Sequence, residues 1–245
     1  MIRHIFLACC LFGLLTCTSD RPDSELSDLA SSSSTTEQMD TDRSSRFGET
    51  VLDAVRGATW LVKGLECGTS QIGTAFAVGE GILVTSAHVV AGNEAPIISS
   101  ESVESASRVV AFDAVSDLAL LRTEAELGEP LSFAEASVGE SVELVGFDEN
   151  GSELTKRLVV DAIVRATGSD VYGEPAGGRD ALQLRGSVER GNSGAPLVNE
   201  EGQVVGVIFA NSLGGAGISY AVRASEVEDL MGEAKYGAVS STPCL

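Results

Sequence analysis

The sequence predicts an all-β domain assembled from two small β units, and three observations carry that prediction. From Thr50 onward the chain reads as short apolar runs split by Gly, Asn and Asp, which is the texture of strands and tight turns. The 245 residues include 27 Gly and only 6 Pro, so many positions can take the positive φ that tight turns need. Helix signals are few and lie at the two ends of this region.

The elements follow in chain order. Met1 to Arg3 is a short basic start, and Ile5 to Leu15 is an apolar run of about ten residues, too short to span a bilayer as a stable helix. Leu14-Leu15-Thr16-Cys17 resembles a lipobox, in which a bacterial Cys is lipidated and becomes the new N-terminus. Residues 1–17 therefore read as an export signal with Cys17 as the lipidation site; plain secretion or an uncleaved anchor would export the chain as well. Residues 18–49, rich in Ser, Thr and Asp and without apolar periodicity, read as a disordered tether.

In the remaining 50–245 the strand candidates are Thr59–Leu65, Thr74–Val78, Ile82–Thr85, Arg108–Phe112, Leu118–Arg122, Ser141–Val145, Leu158–Arg165, Ala181–Leu184, Pro196–Val198, Val204–Ala210 and Ile218–Val222. Residues 78–82 and 199–203 read as hairpin turns, the second with Gly202 at a positive φ. The polar stretch 124–137 divides a first unit, about 54–130, from a second, about 135–223. Ser225-x-x-Glu228 predicts a capping box for a C-terminal helix running to about Lys235, and a helix near Glu49–Arg56 is a weaker expectation.

Charge excludes some functions. Asp and Glu number 36 against 16 Lys and Arg, a net charge of −20 that repels nucleic acid and anionic lipid head groups. The tether carries eight acids and three bases, and the chain from Val51 carries 28 and 12, so the acidity belongs mainly to the folded domain. The five Cys (9, 10, 17, 67 and 244) show no CxxC spacing, and the two His, His4 and His88, are too few for a His-rich metal site. Cleavage of the signal would leave His88 as the one imidazole.

Three short motifs carry chemistry. Gly191-Asn192-Ser193-Gly194-Ala195-Pro196-Leu197 places a Ser in a glycine-flanked turn, where its hydroxyl is exposed and the N–H groups of Gly191 and Ser193 can converge as an oxyanion hole. An ordinary Gly-rich loop would give the same string. Thr85-Ser86-Ala87-His88-Val89-Val90 follows an apolar strand and offers a base with a suitable pKa, although a His at a strand end also occurs without a function. Ser116-Asp117-Leu118-Ala119-Leu120-Leu121 opens a strand with an acid placed to orient an imidazole; Asp113 is the rival, and a solvated turn Asp is the alternative. The order His88, Asp117, Ser193 is that of chymotrypsin-type enzymes and differs from the subtilisin and α/β-hydrolase orders.

With these residues the chain resembles the trypsin/chymotrypsin-like serine peptidases, most closely the bacterial HtrA-type branch, through TSAHVV, SDLALL and GNSGAPL. Residues 168–175, Arg179-Asp180, Glu189 and Gly206-Val207-Ile208-Phe209 look like the actinobacterial membrane-anchored acid-resistance proteases. The resemblance covers about Ala54 to Cys244. It implies two six-stranded antiparallel β-barrels with a short C-terminal helix and an active site between the barrels. It also implies a Ser193 nucleophile, a His88 base, an Asp117 orienting acid, protein or peptide substrates, and no metal or organic cofactor. A catalytically silent binding module on the same fold and a secreted esterase are the competing functions.

Departures from the pattern carry expectations too. Asn192 stands where digestive enzymes use an Asp to bind a new N-terminal amine, so activation by that ion pair is not expected. Ala195 replaces a glycine and is tolerable if its φ is negative. In an exported chain Cys67 and Cys244 form an even pair, and the acid-resistance proteases have a similar disulfide; two independent thiols or intermolecular pairing are the alternatives. By alignment, Ser187 forms the base of the substrate pocket, Phe209, Ala210 and Asn211 its wall, and Gly217 its side. Without an acid at Ser187, a small or medium apolar substrate side chain is expected. The multi-span membrane region of the acid-resistance proteases has no counterpart here, which leaves the N-terminal lipid as the expected membrane contact.

Overall fold

Twelve antiparallel strands close into two barrels in the computed structural model, which describes residues 48–66, 69–93, 95–101, 103–211, 217–234, 237, 239 and 242–245. The side chains of 65, 66, 69, 210 and 211 are outside that description. So are the expected signal, Cys17, most of the tether, and Cys67. Among the described residues, no helix is long and apolar enough to cross a membrane.

The first barrel comprises β1 (Thr59–Glu66), β2 (Thr69–Gly79), β3 (Ile82–Ser86), β4 (Ile97–Ser99), β5 (Glu104–Asp113) and β6 (Leu118–Thr123), in the order β1-β2-β3-β6-β5-β4. The second comprises β7 (Ser141–Phe147), β8 (Glu153–Ser169), β9 (Pro175–Arg185), β10 (Pro196–Val198), β11 (Val204–Asn211) and β12 (Ile218–Arg223), in the order β10-β11-β12-β9-β8-β7. Closure leaves neither sheet an unpaired edge. All eleven expected strands are present, most of them longer than their apolar runs. The twelfth, β4, has three residues and only one fully buried side chain, Ile98, so it shows no alternation to read. It closes the first barrel by pairing with both β1 and β5.

Three apolar clusters hold the domain together. One fills the first barrel around Trp60, Val62, Leu83 and Leu121. Another fills the second around Leu144, Leu158, Leu182 and Leu197. The third joins the barrels, packing Phe76, Val84, Leu118 and Leu120 against Val145, Val207 and Val222. Helix α1 (Glu49–Gly57) inserts Leu52 and Val55 into this third cluster, and α3 (Ala224–Glu233) inserts Val227. Each such side chain contributes about 1.5–3 kcal/mol of burial free energy, and here the gain fixes one barrel against the other.

The expected turn at 199–203 forms with Gly202 at φ 79°, its N–H donating to Asn199 O (3.0 Å). The capping box does not form. Arg223 is the N-cap of α3 and no side chain caps the helix, so Ser225 lies inside the first turn. The helix closes its last described turn at Glu233, and Lys235 is outside the described residues.

Candidate active site

Strand register brings His88 and Asp117 together. Ser86 at the end of β3 pairs with Leu118 at the start of β6, so the residues beyond them leave the barrel at the same rim. His88 stands there on α2 (Ala87–Val90), a four-residue turn of helix too short to read from the sequence. Its Nδ1 lies 2.8 Å from Asp117 Oδ2, and its main-chain N–H donates to Asp117 Oδ1 at 2.9 Å. The Asp117 carbonyl accepts the Ala87 N–H (3.1 Å). Asp113 takes another task, accepting the N–H groups of Val115 (2.8 Å) and Ser116 (3.2 Å) at the head of the turn. Asp117 is the one non-glycine residue with positive φ (57°) among those described, a region Asp tolerates better than most residues.

The second barrel supplies Ser193 on the loop between β9 and β10. This loop is anchored across the barrel boundary by Thr74 of β2. The Thr74 N–H donates to Ser193 O (2.8 Å), and its hydroxyl donates to Gly191 O (2.7 Å) and accepts the Phe147 N–H (3.2 Å). The Ser86 hydroxyl donates to Ile208 O (3.0 Å), making a second tie between the barrels. Gly191 has φ 92° and Gly194 φ 84°. Among the described residues, the N–H groups of Gly191 and Ser193 meet no protein acceptor and the Ser193 hydroxyl makes no hydrogen bond. Ser193 and His88 are thus not hydrogen-bonded to each other in this structure. Asn192 is fully buried, with Oδ1 accepting the Glu189 N–H (2.8 Å) and Nδ2 donating to Phe147 O (2.9 Å). A neutral amide thus satisfies both ends of the slot. Ala195 has no positive φ, and its methyl is buried in the second barrel's core.

The His88 pKa reflects opposing influences. Burial disfavours the imidazolium, the Asp117 carboxylate favours it through charge and hydrogen bond, and the Arg179 guanidinium disfavours it. The outcome is a value above the ordinary 6.5. The ring is partly exposed and the carboxylate buried, at 29% and 6% side-chain exposure.

The expected pocket residues are placed as follows. Ser187 is exposed, and its carbonyl accepts Lys156 Nζ (2.9 Å), which also pairs with Glu189 (3.1 Å). Gly217 O accepts the Gly186 N–H (2.7 Å), so the stretch before Ser187 and the start of β12 lie side by side. Phe209 sits in a β-bulge between Ile208 and Ala210, and the Arg179 guanidinium lies 4.3 Å from its ring centroid. The backbones of Ala210 and Asn211 pair with Tyr220 and Ser219. Nothing in the local sequence marks Thr74, Lys156 or Glu226, whose side-chain partners lie 31 to 117 positions away.

Known proteins match this chain over the same region. The family described as "Trypsin-like peptidase domain" matches residues 73–207, more than half of the chain. "Serine protease Rv3671c" of Mycobacterium tuberculosis is 32% identical over 169 residues, covering 68% of this chain and 42% of its own length. Its crystal structure in an active form superposes with a TM-score of 0.73 at 29% identity, covering 78% of this chain and 86% of that one. A Rhizobium meliloti protein named "Probable periplasmic serine endoprotease DegP-like" is 36% identical over 166 residues, 64% of this chain and 31% of its own length. The chain thus spans less than half the length of these curated relatives.

Proposed function

Because the chain belongs to the trypsin-like peptidase family, we propose that it is an exported serine endopeptidase working through His88, Asp117 and Ser193. The doubly bonded His88–Asp117 pair carries this reading, since the carboxylate holds the imidazole by its Nδ1 side and leaves Nε2 for a substrate-side partner. Ser193 attacks the peptide carbonyl as His88 takes its proton. The N–H groups of Gly191 and Ser193 stabilise the oxyanion. His88 then protonates the leaving amine, and water resolves the acyl-enzyme by the same steps in reverse. The substrate pocket, with Ser187 at its base, Phe209, Ala210 and Asn211 as wall and Gly217 as side, accepts a small or medium apolar side chain.

The proposal extends to location and covalent form. The leader directs export and Cys17 takes a lipid anchor, placing the enzyme in the periplasm or cell envelope, where envelope proteolysis or a stress response is its role. The periplasmic name of a relative supports that placement. A Cys67–Cys244 disulfide closes the domain. It is supported by the C-terminal tail lying on the first barrel, where Thr242 Oγ1 accepts the Gly92 N–H (2.7 Å) and the Val239 N–H meets Val109 O (3.2 Å). A fluorophosphonate probe should label the wild type and not Ser193→Ala, and casein cleavage should follow the labelling. Equal labelling of both, or of neither, would sink the reading; labelling without peptide cleavage would point to an esterase.

A further inference from the structure

The turn that presents Asp117 is gripped by residues outside its own barrel. Ala114 O accepts the Val171 N–H (3.1 Å), Val115 O accepts Arg179 Nη1 (2.6 Å), and the Ser116 hydroxyl donates to Glu226 Oε2 (2.9 Å). Three consecutive residues are therefore held by the β8–β9 connection, by β9 and by the first turn of α3. The other Glu226 oxygen accepts the Asp180 N–H (2.7 Å), so Glu226 and Arg179 are tied to the same point of β9. Tyr172 adds a ring stacked 6.2 Å from Phe112, just ahead of the turn.

This grip meets a specific need. Asp117 adopts a left-handed backbone, which an isolated turn would leave. Ser116 is buried, so its hydroxyl needs an acceptor, and the part-buried Glu226 carboxylate provides one. Arg179 has no carboxylate partner among the described residues, although the chain has 36 acids. Its guanidinium is committed to the Val115 carbonyl and the Phe209 ring.

We infer that Glu226 and Arg179 are positioning residues, which lock the Asp117 turn from the second barrel and so complete the His88–Asp117 pair. The inference rests on the peptidase reading above. Neither residue touches the reacting atoms; both bear on Asp117, and Arg179 also opposes the His88 imidazolium through its charge. Losing either one releases the turn, loosens the bond to His88 Nδ1 and misaligns the base, which lowers turnover more than substrate binding.

The test uses the full chain with Glu226→Ala, Glu226→Gln, Arg179→Gln and Arg179→Lys. The readouts are peptide hydrolysis, thermal unfolding and the downfield Nδ1–H resonance of 15N-labelled His88. Glu226→Ala and Arg179→Gln should each lower kcat about tenfold to a hundredfold in variants that remain folded, with KM within about threefold, because a small misplacement of a catalytic group has that effect. The resonance should shift or broaden, and Glu226→Gln and Arg179→Lys should recover part of the loss. Unchanged kcat with an unmoved resonance in both variants would overturn the inference, as would a loss that only tracks the unfolded fraction. A wild type without Ser193-dependent hydrolysis would instead sink the peptidase reading; the resonance, which needs no turnover, would still decide on the positioning role.

Discussion

His88 and Asp117 are joined twice, from ring Nδ1 to Oδ2 at 2.8 Å and from main-chain N–H to Oδ1 at 2.9 Å, so one buried carboxylate fixes both the imidazole and the helical turn carrying it. The second bond distinguishes this aspartate from a simple counter-ion. It makes the position sensitive to both charge and backbone.

Asp117→Asn should therefore keep the fold and lose the chemistry. Asn tolerates the left-handed backbone and can still accept the His88 N–H, but its amide favours the wrong imidazole tautomer. The expected loss in kcat is about 10⁴-fold, the scale seen for this substitution in a chymotrypsin-type triad. Asp117→Ala should add a stability loss of about 1–2 kcal/mol, because Ala at φ 57° gains no local hydrogen bond. Activity assays beside urea unfolding separate the two effects, and an Asn variant within tenfold of wild type would contradict the assigned role.

The His88 shift sets a pH dependence with a definite sign. Burial opposes the imidazolium, Asp117 more than offsets it, and Arg179 opposes it again, leaving the value above 6.5. A base must be neutral to act, so kcat/KM should fall on the acid side with a midpoint above 6.5. Stability runs the other way: a raised folded value means that the imidazolium–carboxylate pair stabilises fully below the ordinary His value and is lost as pH rises through the folded one. A pH–rate profile with its acid limb at or below 6.5 would show that burial and Arg179 outweigh Asp117 at His88.

Much of this was legible in the sequence, for identifiable reasons. Runs such as Leu118 to Leu121 and Val204 to Ile208 are apolar throughout because they are buried among strands of both barrels, so their length alone marked them. The three motifs were local strings and could be read one at a time, and the structure brings His88 and Asp117 from two of them together. The preference for Asp117 over Asp113 rested only on its place directly before the apolar run; in the structure Asp117 bonds His88, while Asp113 accepts N–H groups of its own turn. The C-terminal capping box misled because the helix starts earlier than the box requires: Arg223 is its N-cap, which leaves Ser225 inside the first turn. Arg179 reaches Val115 across 64 positions, a pairing that no short window records.

Asn192 offers a test of the departure from digestive enzymes. Its Oδ1 accepts an N–H while its Nδ2 donates to Phe147 O, and the residue is fully buried. Asn192→Asp would set a carboxylate oxygen against that carbonyl with no cation to answer it. The expected loss is about 3 kcal/mol or more, the scale of an uncompensated buried charge, with probe labelling of Ser193 reduced. Unfolding midpoints measured at neutral pH and at about pH 4, near the carboxylate range, should converge as the new group protonates. A variant as stable as wild type at neutral pH would mean that an ion pair does reach this slot.

Two neighbouring small residues in the Ser193 loop should behave oppositely. A methyl on Gly194 would lie 2.1 Å from Thr74 O, 2.5 Å from Thr85 Oγ1 and 2.9 Å from Ser86 N, on a backbone at φ 84°. The two closest obstacles are a backbone oxygen and a hydroxyl already bonded to it, so neither can withdraw cheaply. Gly194→Ala should push the loop off the first barrel, breaking the bond from Thr74 N–H to Ser193 O and abolishing probe labelling. Ala195 differs in having an ordinary backbone conformation and a methyl packed in the second barrel's core. Restoring the glycine that the digestive enzymes carry there, Ala195→Gly, should therefore cost about 1 kcal/mol through lost packing and a freer unfolded chain, while labelling persists. Paired labelling and denaturation curves test the contrast. Full activity in Gly194→Ala would show that the loop's contact with Thr74 does not position the nucleophile.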